Sequence, residues 1–373
     1  MTQIRHSRSS RSIGAGPAAR GLNNPPRLRG HVLDREIAAQ PAVLERLRTR
    51  QFAKVAAVAR RLAAAGPRGL LVVARGSSDN AALYAKYLFG MRNRMVVALV
   101  APSMFTRYHR SPNLAGFSLL AISQSGASED LCEVARQARR QGVYSVALLN
   151  RSGPLAGEVD DVIGLCAGPE RSVAATKSYT AELYALAMLS LALCGTSAER
   201  RDLARLPEAA SRVLAACEDL APAAARYRYA QRLSVIGRGY NYATAFEIAL
   251  KLKELAYLTA DPYSSADFRH GPIAMVERDY PVLLVMPAGR VFADLFDLAR
   301  EIARRQAELV VISDEPRALR LARVPLALPG RVPEWLSPIV TVMPGQRLAR
   351  HLAEARGCAL DAPRYLAKIT RTR

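Results

Sequence analysis

The chain has 373 residues, of which 50% are hydrophobic, 23% charged and 6% aromatic. This balance excludes an intrinsically disordered chain, a collagen-like repeat and a small disulfide scaffold, and the length is sufficient for two domains. The 53 basic residues outnumber the 32 acidic residues, which gives a formal net charge of +21. Such a charge attracts nucleic acid, a membrane surface or phosphorylated metabolites equally well, so composition alone does not choose among these partners.

The first 33 residues are predicted to be a flexible basic tail. Six arginines and no acidic residue lie within the first 30 positions, without the apolar segment of a secretory signal. Prolines and glycines in this stretch leave no room for a helix-turn-helix module, so nucleic acid is not an expected partner. The longest apolar run, Leu183 to Cys194, is too short to span a membrane and is predicted to be a buried helix. No membrane partner is expected either.

The five cysteines lack the Cys-x-x-Cys spacing of zinc and redox sites. We interpret them as buried thiols in a reducing compartment, which indicates a cytoplasmic protein. The sequence also lacks a cluster of metal-ligand residues and a Gly-x-Gly-x-x-Gly dinucleotide fingerprint. Neither a metal nor another cofactor is therefore expected.

Three strand-like segments recur at one constant offset in residue number (239 − 76 = 163), which indicates an internal repeat. The matched pairs are Leu71–Gly76 with Ser234–Gly239, Phe117–Gly126 with Tyr280–Gly289, and Tyr144–Leu149 with Ala307–Ile312. Each is a short apolar run before a helical pattern, which is typical of a strand buried on both faces of a parallel sheet. The sequence therefore predicts an α/β protein with two tandem doubly wound parallel-sheet domains, residues 34–199 and 200–373.

The loop after the second matched strand is predicted to bind phosphate in the first repeat only. Ser123, Gln124, Ser125 and Ser128 place three hydroxyls and an amide at a helix start, and the glycine among them lets the backbone approach a ligand. In the second repeat, positions 286–288 are Met, Pro and Ala, whose side chains donate no hydrogen bond. We therefore expect one phosphate site in each chain.

The second repeat offers acid–base residues instead. Glu247, Lys251 and Glu254 share one face of the helix predicted over residues 243–254, because their spacing is i, i+4 and i+7. Most other positions of this helix are apolar, so we expect some of these charges to be buried and paired rather than to form a surface salt-bridge ladder. His270, before a Gly-Pro turn, is a further candidate for proton transfer, with a structural role as the alternative.

Six motifs, in this order, resemble the tandem sugar isomerase (SIS) domains in the isomerase half of glucosamine-6-phosphate synthase. They are Ser123–Gly126, Val173–Lys177, Gly237–Gly239, Ala249–Glu254, Arg269–Pro272 and Pro363–Lys368. The resemblance extends from about residue 34 to the end of the chain and implies two SIS domains.

The resemblance also implies a role for each matched residue. Glu254 matches the carboxylate that moves a proton between C1 and C2 of the sugar, Lys251 matches its charged neighbour, and Lys368 matches a lysine that forms an imine with the ketose. His270 matches the group that opens the sugar ring and reaches the site from the neighbouring subunit, which implies a homodimer. The buried helix over residues 183–194 is consistent with a dimer contact. The implied substrate contacts come from the side chains of Ser78, Ser123, Gln124, Ser125 and Ser128 and from the backbone of Val173 and Ala174. By itself, Ser78 is better explained as an ordinary helix N-cap, and only the cluster as a whole favours a binding site.

The synthase also carries a glutaminase domain with a nucleophilic cysteine, whereas no cysteine precedes Cys132 here. The resemblance therefore favours the stand-alone SIS-type glucosamine-6-phosphate deaminases, which form fructose 6-phosphate and ammonia. Ala175, in place of a serine of the synthase, and the loop Ser264–His270 favour the same branch, whereas Asp267 replaces its more usual glutamate. The expected ligand is a sugar phosphate. The alternative functions are those of a fructosamine-6-phosphate deglycase, a glutamine-independent isomerising aminotransferase and a non-catalytic sugar-phosphate sensor.

Overall fold

The computed structural model describes residues 31–366 and residue 368. These residues form two parallel five-stranded sheets flanked by helices, which confirms the predicted α/β class with two tandem doubly wound domains. Most of the predicted basic tail lies outside the described residues. The first described helix begins at Val32 and the side chain of Leu33 is buried, so these two residues of the predicted tail belong to the fold.

The first half of the fold contains a sheet with strand order β2-β1-β3-β4-β5. Its elements are α1 (Val32–Ala38), α2 (Gln40–Ala65), β1 (Gly69–Val73), α3 (Ser77–Asn93), β2 (Val96–Leu99), α4 (Ser103–Thr106), β3 (Phe117–Ser123), α5 (Glu129–Arg140), β4 (Ser145–Leu149), β5 (Asp161–Gly164) and α6 (Lys177–Cys194). The central strands β3 and β4 are almost entirely buried, as their continuous apolar runs predict.

The second half begins with helices and then repeats the same topology, with strand order β10-β9-β8-β6-β7. Its elements are α7 (Ser197–Ala204), α8 (Leu206–Ala216), α9 (Ala221–Arg226), β6 (Arg232–Gly237), α10 (Tyr242–Ala256), β7 (Thr259–Ser264), α11 (Ser265–Arg269), β8 (Pro281–Val285), α12 (Phe292–Arg304), β9 (Glu308–Ser313), α13 (Pro316–Leu319), β10 (Val324–Ala327) and α14 (Ser337–Ala355). The polar stretch at the predicted domain boundary lies within α7.

The repeat extends to all five strands of each sheet in the described chain. Four strand pairs begin at the same offset in residue number, as in β1 and β6 (232 − 69 = 163), and β8 begins one position later relative to β3 (281 − 117 = 164). The sequence predicted only the three central pairs. The missed pairs, β2 with β7 and β5 with β10, are the edges of the two sheets. Edge strands are covered on fewer sides, so they do not need a continuous apolar run.

Helix packing joins the two halves and buries α6. Helix α3 of the first half lies against its repeat equivalent α10, and α6 packs against α2 and α3. The segment Leu183–Leu191 is at most 3% exposed within a single chain, which confirms the predicted buried helix. Its own chain covers it, so this helix does not support a dimer contact. Within the described residues, no helix is long and apolar enough to cross a membrane.

All five cysteines are free thiols, but they are not uniformly buried. Cys132 and Cys217 are buried, whereas Cys194 is exposed at the end of α6. The interpretation of every cysteine as a buried core residue is therefore wrong for Cys194, because the apolar run ends where α6 reaches the surface.

Candidate functional site

A cavity of about 230 Å³ opens at the carboxyl ends of β1 and β3, where the ligands of open parallel sheets bind. Five parts of the chain line it. They are the loop after β1, the loop after β3, residues 173–182 at the start of α6, Glu254 near the end of α10, and Leu366 with Lys368. The cavity therefore combines side chains of both halves of the fold.

The structure brings most of the predicted site residues together. The cavity is lined by Ser78, Ser123, Gln124, Ser125, Ser128, Val173, Glu254 and Lys368. Three predicted residues do not line it. Ala174 is fully buried, Lys251 is fully buried behind Glu254, and His270 is exposed at the surface outside the cavity.

The loop from Ser123 to Ser128 is held by its own hydroxyls. Ser123 Oγ accepts a hydrogen bond of 3.0 Å from the backbone N–H of Gly126, and Ser125 Oγ accepts one of 3.2 Å from that of Ala127. Gly126 has a φ of +64°, and an added Cβ would lie 2.8 Å from the Arg151 carbonyl oxygen, so this turn requires glycine.

The loop leads directly into the N-terminus of α5. Ser128 occupies the N-cap position but makes no capping hydrogen bond with its side chain. The free backbone N–H groups and the dipole of a helix N-terminus favour an anion. The hydroxyls and this helix start are together suited to a phosphate group.

Lys251 is a buried cation that links two carboxylates. Its Nζ lies 2.5 Å from Glu254 Oε2, 3.4 Å from Glu247 Oε1 and 3.2 Å from Ser77 Oγ. The side chain of Glu254 is 22% exposed, whereas those of Lys251 and Glu247 are fully buried. The prediction that these charges are buried and paired is therefore confirmed.

Burial and neighbouring charges shift the pKa values of Glu247 and Lys251 in opposite directions. Burial raises the pKa of Glu247 to about 7, although Lys251 and a 2.7 Å hydrogen bond from Asn80 Nδ2 oppose the shift. Burial also opposes the charge of Lys251, but the neighbouring carboxylates outweigh it and raise the lysine pKa. Lys251 therefore remains an ammonium that holds the Glu254 carboxylate at the edge of the cavity. Among the described residues, no group of three or more His, Cys, Asp or Glu side chains is arranged to hold a metal ion.

Two buried glutamates that the sequence analysis did not select lie beside the cavity. Glu170 accepts hydrogen bonds from the backbone N–H groups of Thr176 and Ser178, and Lys368 Nζ lies 3.1 Å from its Oε2. Glu182 lines the cavity, and its Oε1 lies 2.8 Å from Ser78 Oγ. A sequence signal exists for Glu182, because it is an ionisable residue within a helix that is otherwise buried and mostly apolar. No such signal marks Glu170, which lies in a loop.

The structure bears on two of the predicted roles. The N-cap of α3 is Gly76, so Ser78 lies within the first turn and is not the cap. Lys368 Nζ is bound by Glu170 and, at 2.6 Å, by the carbonyl oxygen of Ser172. Its implied role in imine formation therefore remains a prediction.

Comparison with known proteins places these features in a family. The SIS domain model matches residues 65–192 and 227–323, one match in each half. The glutamine–fructose-6-phosphate aminotransferase (isomerizing) of Thermus thermophilus is 35% identical over 354 residues, which cover 91% of this chain and 58% of that protein. The chain thus spans little more than half the length of this relative.

Two solved structures are also similar. A structure from Silicibacter pomeroyi assigned as a phosphosugar isomerase is 34% identical with a TM-score of 0.79, over 88% of this chain and 99% of the other. The C-terminal domain of glucosamine-fructose-6-phosphate aminotransferase from Francisella tularensis is 25% identical with a TM-score of 0.82, over 91% of this chain and 100% of the other. With one matched domain in each half, the chain belongs to the SIS domain family.

Proposed function

We propose that this chain isomerises an amino-sugar 6-phosphate and releases its nitrogen, converting glucosamine 6-phosphate to fructose 6-phosphate and ammonia. The observation that carries the proposal is that the hydroxyl-lined loop Ser123–Ser128 and the Glu254 carboxylate line the same cavity. A phosphate bound at the loop fixes the carbon chain, so that one carboxylate can act repeatedly on neighbouring carbons. The relatives support this substrate class, because their names describe isomerisation and amino transfer on fructose 6-phosphate.

The chemistry needs one well-placed base. After ring opening, the C1 aldehyde acidifies the hydrogen on C2. Glu254 removes this proton and returns it to C1 through an enolamine, which leaves a ketimine at C2. Water then adds to the ketimine and ammonia leaves. The Lys251 ammonium, 2.5 Å from Glu254, holds the base in position, and acid–base catalysis of this kind contributes roughly 10²- to 10⁴-fold.

Ring opening requires a second group, and we assign it to His270 of a second copy of the chain. His270 is exposed and does not line the cavity of its own chain. A homodimer that places this histidine in the neighbouring cavity would complete each site. The proposal therefore includes a shared active site.

Mixed dimers test the shared site. Inactive Glu254→Gln and His270→Ala homodimers are combined under conditions that allow subunits to exchange. Activity should return in the heterodimers, because one of their two sites has both groups intact. A monomer that is fully active at high dilution, or exchanged heterodimers without activity, would show that each chain builds its own site.

A second candidate is the reverse reaction, in which ammonia and fructose 6-phosphate are converted to glucosamine 6-phosphate. The aminotransferase relatives favour it. The imine role of Lys368 would require this lysine to leave Glu170 and the Ser172 carbonyl. A reaction and its reverse follow the same path on one enzyme, so these contacts do not choose between the two directions, and the product assay does.

The decisive experiment incubates the purified chain with glucosamine 6-phosphate and measures ammonia and fructose 6-phosphate. Both products should form without glutamine or added metal, and a chelator should not change the rate. Product formation only from fructose 6-phosphate and ammonia would favour the aminotransferase, and preference for a fructosamine 6-phosphate would favour the deglycase. Tight sugar-phosphate binding without turnover would indicate a sensor.

A further inference from the structure

Two glutamates beside the cavity are buried to a similar degree but are bound very differently. Glu170 is 6% exposed and receives four hydrogen bonds, from two backbone N–H groups, the Ser178 hydroxyl and Lys368 Nζ. Glu182 is 1% exposed, and only its Oε1 has a partner. Within the described part of the chain, its Oε2 has no hydrogen-bond partner. The donors that stabilise a buried carboxylate are thus present around Glu170 and missing around Glu182.

The charges around Glu182 also favour its neutral form. Burial raises its pKa well above the ordinary range, and the nearby carboxylates of Glu170 and Glu247 add to this effect. The Ser78 hydroxyl and the Lys368 ammonium oppose the shift without overcoming it. Tyr179, on the same helix, is fully buried and brings no charge.

A neutral carboxyl group has one hydrogen to donate, and one acceptor lies within reach. Ser78 Oγ is 2.8 Å from Glu182 Oε1 and is the single hydrogen-bond partner of this glutamate in the described chain. A hydroxyl has one donor hydrogen and two acceptor lone pairs. If Glu182 were charged, Ser78 would donate its hydrogen to it and present only lone pairs to the cavity.

We propose that Glu182 is a positioning residue that donates a hydrogen bond to Ser78 Oγ, and so makes Ser78 a hydrogen-bond donor toward the phosphate of the substrate. Ser78 and Glu182 both line the cavity that holds the loop Ser123–Ser128. The inference rests on the proposed function for the identity of the ligand. It adds a residue that acts through Ser78 rather than by touching the reacting carbons.

Binding measurements on the full chain test this assignment. Calorimetric titration with glucosamine 6-phosphate at about pH 7 compares the wild type with Glu182→Gln, Glu182→Leu and Ser78→Ala. Glu182→Gln should bind within a few-fold of the wild type, because its amide N–H still donates to Ser78. Ser78→Ala should weaken binding about tenfold or more, the value of one hydrogen bond to a charged group. Glu182→Leu should weaken it by less, because the Ser78 hydroxyl remains but no longer has Glu182 to orient it. In steady-state kinetics the loss should appear in KM rather than in kcat.

The double variant provides the internal control. Adding Glu182→Leu to Ser78→Ala should cause no further loss of affinity, because Glu182 acts only through Ser78. Equal losses in Glu182→Gln and Glu182→Leu, or unchanged affinity in Glu182→Leu, would overturn the assignment. Circular dichroism establishes that each variant is folded.

An infrared comparison tests the protonation state without any ligand. The wild type should show the carbonyl band of a protonated carboxyl group at neutral pH, and the difference spectrum against Glu182→Gln should contain it. The absence of that band would mean that Glu182 is charged and would overturn the proposal. Failure to release ammonia would contradict the proposed function alone, because the infrared and binding comparisons do not depend on turnover.

Discussion

The loops after β3 and β8 occupy equivalent places in the repeat, but their backbone N–H groups have different partners. In the first loop, Gly126 and Ala127 donate to serine hydroxyls of the same loop, which also lines the cavity. In the second loop, the N–H of Ala288 donates to Asp314 Oδ1 at 2.6 Å, and that of Arg290 donates to Glu334 Oε2 at 3.0 Å. Carboxylates of the protein itself therefore bind the second loop.

The glycines of the two loops are required for different reasons. Gly126 adopts a positive φ, whereas Gly289 does not, and an added Cβ on Gly289 would overlap the carboxyl carbon of Glu334. Asp314 is the repeat equivalent of Arg151 (314 − 151 = 163), so a carboxylate stands where the first repeat has a cation. After duplication, the same turn can either remain available to an external anion or become anchored by an internal one.

The largest expected effect is the loss of kcat when the carboxylate that the second half of the fold contributes to the cavity is removed. Glu254→Gln keeps the size of the side chain but removes the base, so kcat should fall by about 10² or more with little change in substrate binding. Steady-state kinetics and calorimetry measure the two quantities separately. Glu277→Gln, a change at an exposed acid of the second half, is the control. A small change in kcat would leave Glu254 with only its salt-bridge role.

A smaller effect is expected from the hydroxyls that distinguish the two loops. Ser123→Ala and Ser125→Ala should each weaken sugar-phosphate binding by about 1 to 3 kcal/mol, because a hydrogen bond to a charged group is lost. The matched variant of the second repeat, Ala288→Ser, should leave the affinity unchanged. If the first two variants bind as tightly as the wild type, the phosphate does not bind at this loop.

The smallest effect is expected at the anchor of the second loop. Glu334→Ala removes the acceptor of the Arg290 N–H and should lower the free energy of unfolding by about 1 kcal/mol. Chemical denaturation measures this loss, and sugar-phosphate affinity should be unaffected. An altered affinity would mean that the second loop also takes part in binding.

Local patterns in the sequence were sufficient for the parts of the fold and site that depend on neighbouring residues. The central strands were predicted because strands buried on both faces need continuous apolar runs. The loop Ser123–Ser128 was predicted from the polar residues that follow such a run. The paired charges of α10 were predicted because residues i, i+4 and i+7 share a helix face.

Other features depend on what packs against a residue and leave little trace in the local pattern. The edge strands were missed because they are less completely buried. The tail boundary was placed too late because burial of Leu33 depends on packing within the folded chain. Glu182 directly precedes the apolar run Leu183 to Cys194 in the sequence, but it lies inside α6 and contacts Ser78 at the start of α3, far away in the sequence. The location of His270 at the surface was likewise decided by the fold.

Local sequence patterns are enough to establish a duplicated α/β chain with a constant offset between its copies, one hydroxyl-rich loop, and a helix with paired charges. That these features meet in one cavity follows from the packing of the two halves. The packing of α3 against α10 brings Ser77 and Asn80 to Lys251 and Glu247, and it places Glu254 at a cavity lined by Ser123 of the other half. Burial of apolar helix faces drives that packing. Because the hydrophobic effect is not directional, an apolar face does not determine by itself which helix will cover it, and the choice is made only when the whole core is assembled.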